Sequence, residues 1–404
     1  MSKLFERFLS TPEILEILSE RQFVAAMLRF EASLARAQAA VGLIPEAAAQ
    51  VIGNACQIER FDVARILDGS SHAGSLATPL VSQLRDMVRL TSAQAAPFVH
   101  FGSTSQDVID TAMALVTRDA LDLIEADVGR AATALLALAE HHAATPMLAR
   151  TLMQPASVTS FGFKCVGWAA PLVRSLQRLR MARQQALSVQ LGGAVGTQAQ
   201  LQGKGPQIAA LMASELQLRA PPAAWHTQRD EWLALACELG LLTGSLGKIA
   251  KDIALMSQWE VGELAEPTEP GRGGSSAMPH KQNPVACMIA LAAAQRAPQR
   301  VAALLACMPQ EHERALGNWQ AELAEWPGLL TSAHGSAQAM AKMLPGLQVD
   351  AARMRTNLDQ LRAMLPVESA AEWFDPALAL NAAQQTELQL KALRAIQTTW
   401  GEAS

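Results

Sequence analysis

Apolar residues recur at steps of three and four along most of this chain, and that spacing predicts helices. Leu121, Ile124, Val128, Ala131, Leu135 and Leu138 form one such stripe. Leu235, Leu239, Leu242, Leu246, Ile249, Ile253 and Met256 form a second. Leu233, Leu241 and Leu255 flank it, so this helix is expected to be buried nearly all round. Near-heptad stripes predict long helices packed at shallow angles in a bundle. A helix buried on every side points to a bundle shared between subunits. Three more long helices are expected, from about 157 to 188, 284 to 308 and 318 to 344.

Toward the N-terminus the signals are caps. Thr11-Pro12-Glu13 reads as an N-cap, a first-turn proline and a favourable acid. A helix from about 20 to 41 should stop at Gly42, and Pro45 should start another. Gly69 to Ser75 predicts a polar loop before a helix from about Pro79; His72 and Ser75 either line a cleft there or are ordinary loop residues. Polar breaks separate the long helices at 151–155, 192–197, 226–230 and 271–284. Glu311-His312-Glu313-Arg314 is either a fifth break or part of a continuing helix. Such breaks fall at bundle ends, where sites tend to lie. A short helix at Asp350 to Met354 opens the last part, which closes as a small helical tail. The pattern gives an all-α chain with an N-terminal helical domain at 1–110, a central bundle at 111–345 and a short C-terminal helical domain at 346–404.

Composition agrees with helices. Of 404 residues, half are hydrophobic, 4% are aromatic and none is Tyr. Alanine and leucine carry the apolar fraction, which suits packed helices more than sheets. A net charge of −4 argues against general nucleic-acid affinity. Cys56, Cys165, Cys237, Cys287 and Cys307 are scattered and odd in number, so free thiols in a reducing compartment are expected. Met1 to Phe8 has no apolar core of signal-peptide length, and no apolar run is read as membrane-spanning, so a cytoplasmic protein away from membranes is expected.

Two stretches carry chemistry. Gly273-Gly274-Ser275-Ser276 cannot hold a regular helix and predicts a mobile loop. Pro279 and Pro284 bracket His280, Lys281 and Asn283 beside it. A serine-bearing arm next to a cation and an amide suits proton transfer over an anionic substrate. In the second stretch, Gly102 and Ser103 mark a turn, and Thr104, Ser105 and Asp107 lie where a helix begins. Free N–H groups and the positive dipole end there suit a carboxylate, while plain capping by Thr104 or Ser105 is an equal alternative.

Gly274 to Pro284 resembles the signature loop of the fumarase/aspartase superfamily. His100 to Asp107 with Asp110-Thr111 is similar to its first signature region, and Thr151 to Thr159 stands in the place of the second. Gly193 to Thr197 and Gln228-Arg229-Asp230 follow in the family's order. Within the superfamily, Met27 to Ala37, Ala120 to Asp127, Trp225 to Asp230 and Met308 to Arg314 resemble the bacterial cycloisomerases of 3-carboxy-cis,cis-muconate. Adenylosuccinate lyases, which share the Met-Pro-His-Lys loop, are the nearest competitor. The resemblance implies a three-domain all-helical subunit with a central long-helix bundle. It implies a homotetramer with each active site assembled from three subunits, a small polycarboxylate substrate, and neither metal nor organic cofactor. The Glu311, His312, Glu313 run is no ligand set, since adjacent helical residues point to different faces. The chain departs from the pattern at Leu152 and Pro155, where relatives carry histidine. Around Leu361 to Ala371 roughly forty residues of the family's third domain have no counterpart, a family-level estimate set against the usual domain size.

The resemblance assigns Ser275 as the proton-transfer group, with Ser276 as runner-up. Lys281 and Asn283 would bind the carboxylate whose α-carbon changes protonation. Thr104, Ser105 and Gln154 would fix other substrate oxygens, and Arg314 would clamp a further carboxylate. His100 and His226 are pocket residues or structural histidines, and Arg229 is expected to pair with Asp230. An amine leaving group needs an acid, which typically contributes about 10²–10⁴-fold. A carboxylate leaving group needs none. A chain with Leu152 in the acid's place therefore suits interconversion of 3-carboxy-cis,cis-muconate and 4-carboxymuconolactone, a step of aromatic catabolism by the β-ketoadipate route. A fumarate-releasing lyase of the adenylosuccinate type, and a non-enzymatic scaffold, are the alternatives.

Overall fold

The computed structural model describes residues 2–401 apart from Pro270, Ser276 and Pro279. The N-terminal part holds α1 (Ser2–Glu6), α2 (Pro12–Ile17), α3 (Glu20–Ala40), α4 (Glu46–Ala55), α5 (Val63–Ala73) and α6 (Ala77–Thr91). The middle holds α7 (Ser105–His141), α8 (Phe161–Ala186), α9 (Gly205–Leu216), α10 (Asp230–Met256), α11 (Val285–Ala306) and α12 (Asn318–Met343). The chain closes with α13 (Ala351–Ala363), α14 (Val367–Trp373) and α15 (Ala379–Gly401).

The cap signals act as expected. Thr11 Oγ1 accepts from Ile14 N at 3.3 Å, and Asp350 Oδ1 accepts from Arg353 N at 2.8 Å. The loop expected at 69–75 is instead mostly helix, because the serines satisfy themselves inside α5. Ser70 Oγ donates to Leu67 O at 2.6 Å and Ser71 Oγ to Asp68 O at 2.9 Å. His72 is left on the exposed face of α5. The closing segment is also more regular than a small tail, since α15 has 23 residues and packs on α8 and α7.

Helices α7, α8, α10, α11 and α12 form the bundle, with α10 against α8, α11 and α12. Both apolar stripes face the core; every residue of the α10 stripe is buried. Pro171, Pro298 and Pro327 lie inside α8, α11 and α12 without ending them, so tertiary burial overrides their local cost. The expected all-round burial of α10 does not hold in one chain: Leu241 is 55% exposed, because neighbours cover only part of the circumference. By length and composition α10 is also apolar enough to cross a membrane, contrary to the sequence reading; just over half of its apolar window, 56%, is buried inside the bundle.

Two features break the all-helical pattern. β1 (Pro146–Thr151) and β2 (Gln154–Ser160) form an antiparallel hairpin between α7 and α8. β3 (Leu264–Ala265) pairs with β4 (Gln348–Val349). Arg150 grips buried Glu263 in two parallel bonds of 2.9 and 2.7 Å, and Asn357 Nδ2 donates to the same carboxylate at 2.9 Å. The hairpin, the strand leading to residues 271–284 and α13 are thereby tied together.

Candidate active site

Alternating helix directions sort the polar breaks onto two ends of the bundle. Where α7, α10 and α12 begin lie His100, Thr104, Ser105, His226 and Arg314. At the opposite end, where α7 and α10 finish and α11 begins, lie Gln154, Ser275, Lys281 and Asn283. α7 has 37 residues, which at about 1.5 Å each separates these ends by about 55 Å. One chain therefore assembles only half of the expected set at either end.

The first end is built around Asp107, whose carboxylate is fully buried. Oδ1 accepts from Gly192 N at 3.0 Å and pairs with His226 Nε2 at 2.7 Å. Oδ2 accepts from Gly193 N at 2.9 Å, Thr104 N at 3.1 Å and Ser103 Oγ at 3.4 Å. Capping of α7 and fixing of the 192–193 turn are thus one interaction. Thr104 and Ser105 remain half-buried at the helix start. Gly193 sits at φ +69 and its missing Cβ would stand 3.0 Å from Gly102 O, so the turn and the helix entry fit because it is glycine. Arg314 closes the group: Nη2 donates to Gly193 O at 2.6 Å and Ala194 O at 3.2 Å, and Nη1 reaches Gln106 Oε1 at 3.5 Å. Both Nη2 hydrogens are committed, so Arg314 offers Nε–H and part of Nη1 to a ligand and not a free two-pronged fork. The segment carrying it is not helical, and His312 has φ 49.

His100 has φ 63 and Nδ1 lies 2.6 Å from Glu31 Oε1. Burial disfavours its charge, but the Glu31 carboxylate outweighs that and holds His100 above the ordinary histidine range. Beneath lies a fully buried ionic knot that the sequence reading missed. Arg229 does not pair with exposed Asp230; Nη1 donates to Asp110 Oδ2 at 3.0 Å and Nε to Glu322 Oε2 at 3.1 Å. Burial pushes the Glu322 carboxyl up, with Arg229 offsetting part of the effect. Trp319 Nε1 donates to Asp110 Oδ1 at 2.9 Å, and Trp232 stacks on Trp326 with centroids 4.1 Å apart. Asp110 and Arg229 both stand in motifs the sequence offered, but they lie 119 positions apart and nothing local pairs them. An apolar cavity of about 410 Å³ opens nearby, lined by Phe23, Ser75, Leu76, Met113 and Trp319 among others. Its lining is mostly apolar, whereas the buried polar groups gather around Asp107.

At the second end the loop is not a free arm. Gly274 and Gln282 form an antiparallel bridge, and Asn283 N donates to Gly273 O at 2.8 Å. Ser275 Oγ accepts from Met278 N at 3.1 Å and Ala277 N at 3.4 Å, so backbone donors already face the oxygen that would carry charge. Lys281 is exposed and Asn283 half-buried. Ser276 lies outside the described residues. Glu266 caps α11 in two bonds, from Ala286 N at 3.0 Å and Cys287 N at 2.9 Å, which occupies that helix start. Gln154 is exposed at the hairpin, next to a tip of Leu152 and Met153. Among the described residues no group of three His, Cys, Asp or Glu is placed to hold a metal ion.

The lyase family profile matches residues 6–298. The chain belongs to the lyase family. Within it, the chain is 43% identical to a 3-carboxy-cis,cis-muconate cycloisomerase of Pseudomonas putida, over 92% of this chain and 88% of that one. It is 40% identical to a nitrosuccinate lyase of Streptomyces davaonensis, over 89% and 78%. The crystal structure of the 3-carboxy-cis,cis-muconate lactonizing enzyme from Pseudomonas putida superposes with a TM-score of 0.85 at 39% identity, covering 98% of this lyase-family chain and 90% of that one. The fold is thus the all-α fumarase/aspartase fold with its central long-helix bundle.

Proposed function

We propose that this lyase-family chain is a cycloisomerase that interconverts 3-carboxy-cis,cis-muconate and 4-carboxymuconolactone without a metal or organic cofactor. The observation that carries the reading is Leu152. It stands at the hairpin tip where an amine-releasing lyase of this family would place its acid, and it is 97% exposed and apolar. Ring closure adds a carboxylate oxygen to one alkene carbon and a proton to its neighbour. The reverse step removes that proton, α to a carboxylate, and expels the ring oxygen as a carboxylate, which needs no acid. Ser275 moves the proton, its oxygen steadied by Met278 N and Ala277 N. Lys281 and Asn283 stabilise the enediolate-like charge, and Thr104, Ser105, Gln154 and Arg314 hold the other carboxylates.

The two-ended layout supports sites completed by a second and third copy of the chain in a homotetramer, since about 55 Å along α7 separates the sets within one copy. Division at 110 and 345 into three domains belongs to the same reading, as does a soluble cytoplasmic enzyme. A nitrosuccinate lyase matches at comparable identity, so the substrate needs a direct test. Absorbance assays with 3-carboxy-cis,cis-muconate, adenylosuccinate and nitrosuccinate separate the readings. Turnover of the muconate alone is expected; turnover of either other substrate alone sinks the assignment.

A further inference from the structure

We infer that Asp107 is a positioning residue that sets Arg314 at the mouth of the site through the Gly192–Gly193 turn. This rests on the proposal that Arg314 meets a substrate carboxylate. Five donors converge on Asp107: Gly192 N, Gly193 N, Thr104 N, Ser103 Oγ and His226 Nε2. Far more than one cap is invested here, because capping α7 needs only the Thr104 bond. Two of the remaining bonds fix the turn across 85 and 86 positions of sequence. What the turn presents on its other side is Gly193 O, and that oxygen takes the 2.6 Å bond from Arg314 Nη2. Gly193 carries both an N–H held by Asp107 and the C=O that holds the guanidinium, so tilting the turn moves both.

The carboxylate is required for this, not merely its shape. In Asp107→Asn one oxygen becomes an NH₂ group. Placed at Oδ2 it meets two backbone N–H groups, and placed at Oδ1 it meets Gly192 N. Either way a buried donor faces a donor, and the turn must shift to relieve it. His226 adapts more easily, because its ring can exchange tautomers. The effect of losing the charge is therefore expected at the turn and at Arg314 before it reaches the histidine.

The test is a double-mutant cycle between Asp107→Asn and Arg314→Lys. KM and kcat are measured for the muconate, and Kd for tricarballylate is measured by calorimetry on the same full-length proteins, with thermal melting as a control for folding. Each single variant is expected to raise KM and the tricarballylate Kd by about tenfold with a smaller change in kcat, as for lost ground-state binding. The double variant is expected within about twofold of Arg314→Lys alone, because the second change removes an interaction already lost. Gly193→Ala, which strains the turn at φ +69 while leaving the Asp107 carboxylate itself unchanged, is expected to give the same KM rise and the same lack of additivity. It serves where Asp107→Asn does not fold. Effects that multiply to about a hundredfold overturn the positioning role and leave the proposed function standing. Wild-type protein that turns over no muconate sinks the proposed function, and the cycle is then read in tricarballylate binding. Wild-type protein that binds no tricarboxylate overturns the positioning role as well.

Discussion

The two ends of the bundle hold their polar residues in opposite ways. Where α7 begins, the groups are buried and cross-linked. Asp107, Asp110, Arg229, His226 and Glu322 are each under 5% exposed, and each is held by partners from distant segments. Where α11 begins, Lys281 is exposed, and the serine loop is closed mainly by bonds within itself. A buried, satisfied network is rigid, because moving any member leaves a desolvated group unpaired. Bonds among the described residues of the loop run mostly within it, an arrangement that suits motion as a unit. Under the proposed function, the contrast suits recognition of fixed anions at the first end and delivery of the proton at the second.

The sharpest test of that contrast removes the delivered group. Ser275→Ala is expected to lower kcat by about 10²–10⁴-fold while KM changes little, since the hydroxyl acts on the transferring proton and the fixed end still binds. Steady-state kinetics on the muconate decide it, and retention of full turnover ends the assignment. Next comes the sharing of ends between copies. Ser275→Ala alone and a Thr104→Val, Arg314→Ala double variant alone are each expected to be nearly inactive. Co-refolded in equal amounts, they are expected to regain about one quarter of wild-type activity, because independent copies supply the two ends of each site. No recovery in mixed oligomers would mean that each chain serves itself.

The rigidity of the first end is tested by its ionic knot. Arg229→Met leaves Asp110 and Glu322 buried without their cation, and the expected loss is about 3–5 kcal/mol in chemical unfolding. Arg229→Met combined with Glu322→Gln is expected to recover part of it, since one fewer charge is stranded. Next in size is His100. Its folded value lies above the ordinary one because of Glu31, so its pairing stabilises the fold below the unfolded histidine value of about 6.5 and fades as pH rises through the folded value. Wild type should therefore exceed Glu31→Gln in stability by more near pH 6, just below the unfolded value of about 6.5, than near pH 8.5, about two units above it. NMR titration of His100 should show its value falling in Glu31→Gln.

What was legible in the sequence divides along the same line. The five bundle helices were visible because their burial is periodic, and periodicity is a local signal. The capping reading of Thr104 was visible for the same reason, while the part Asp107 takes in the capping box was not. The Asp110–Arg229–Glu322 knot was not, since its partners are 119 and 93 positions apart in the pairs it makes. Arg229 was instead matched to its sequence neighbour. Gly69 to Ala73 looked like a loop by composition, and the Ser70 and Ser71 bonds to helix carbonyls show how such a stretch stays helical. The 271–284 loop was legible as a motif, but its bridge at Gly274 and Gln282 was not, because Gly-rich text carries no register.

The hairpin is the least legible element and gives the smallest expected effect. Its two-residue turn places Leu152 at φ 51 and Met153 at φ 66, positions that Asn-Gly fills without strain. Neither residue signals a turn, so the sequence hid the hairpin. Each non-glycine residue in the left-handed region costs about 1–2 kcal/mol by backbone sterics. Leu152→Asn with Met153→Gly is therefore expected to stabilise the protein by about 1 kcal/mol, read as a raised melting midpoint. Strain kept at a tip that is 97% and 70% exposed has no use within the chain's own core. If the tip enters another copy's site beside Gln154, the same variant loses about tenfold in kcat/KM while its stability rises. That opposite movement of stability and activity is the expected outcome. A gain in stability with unchanged kinetics would reduce the tip to a turn and leave the second end to the serine loop alone.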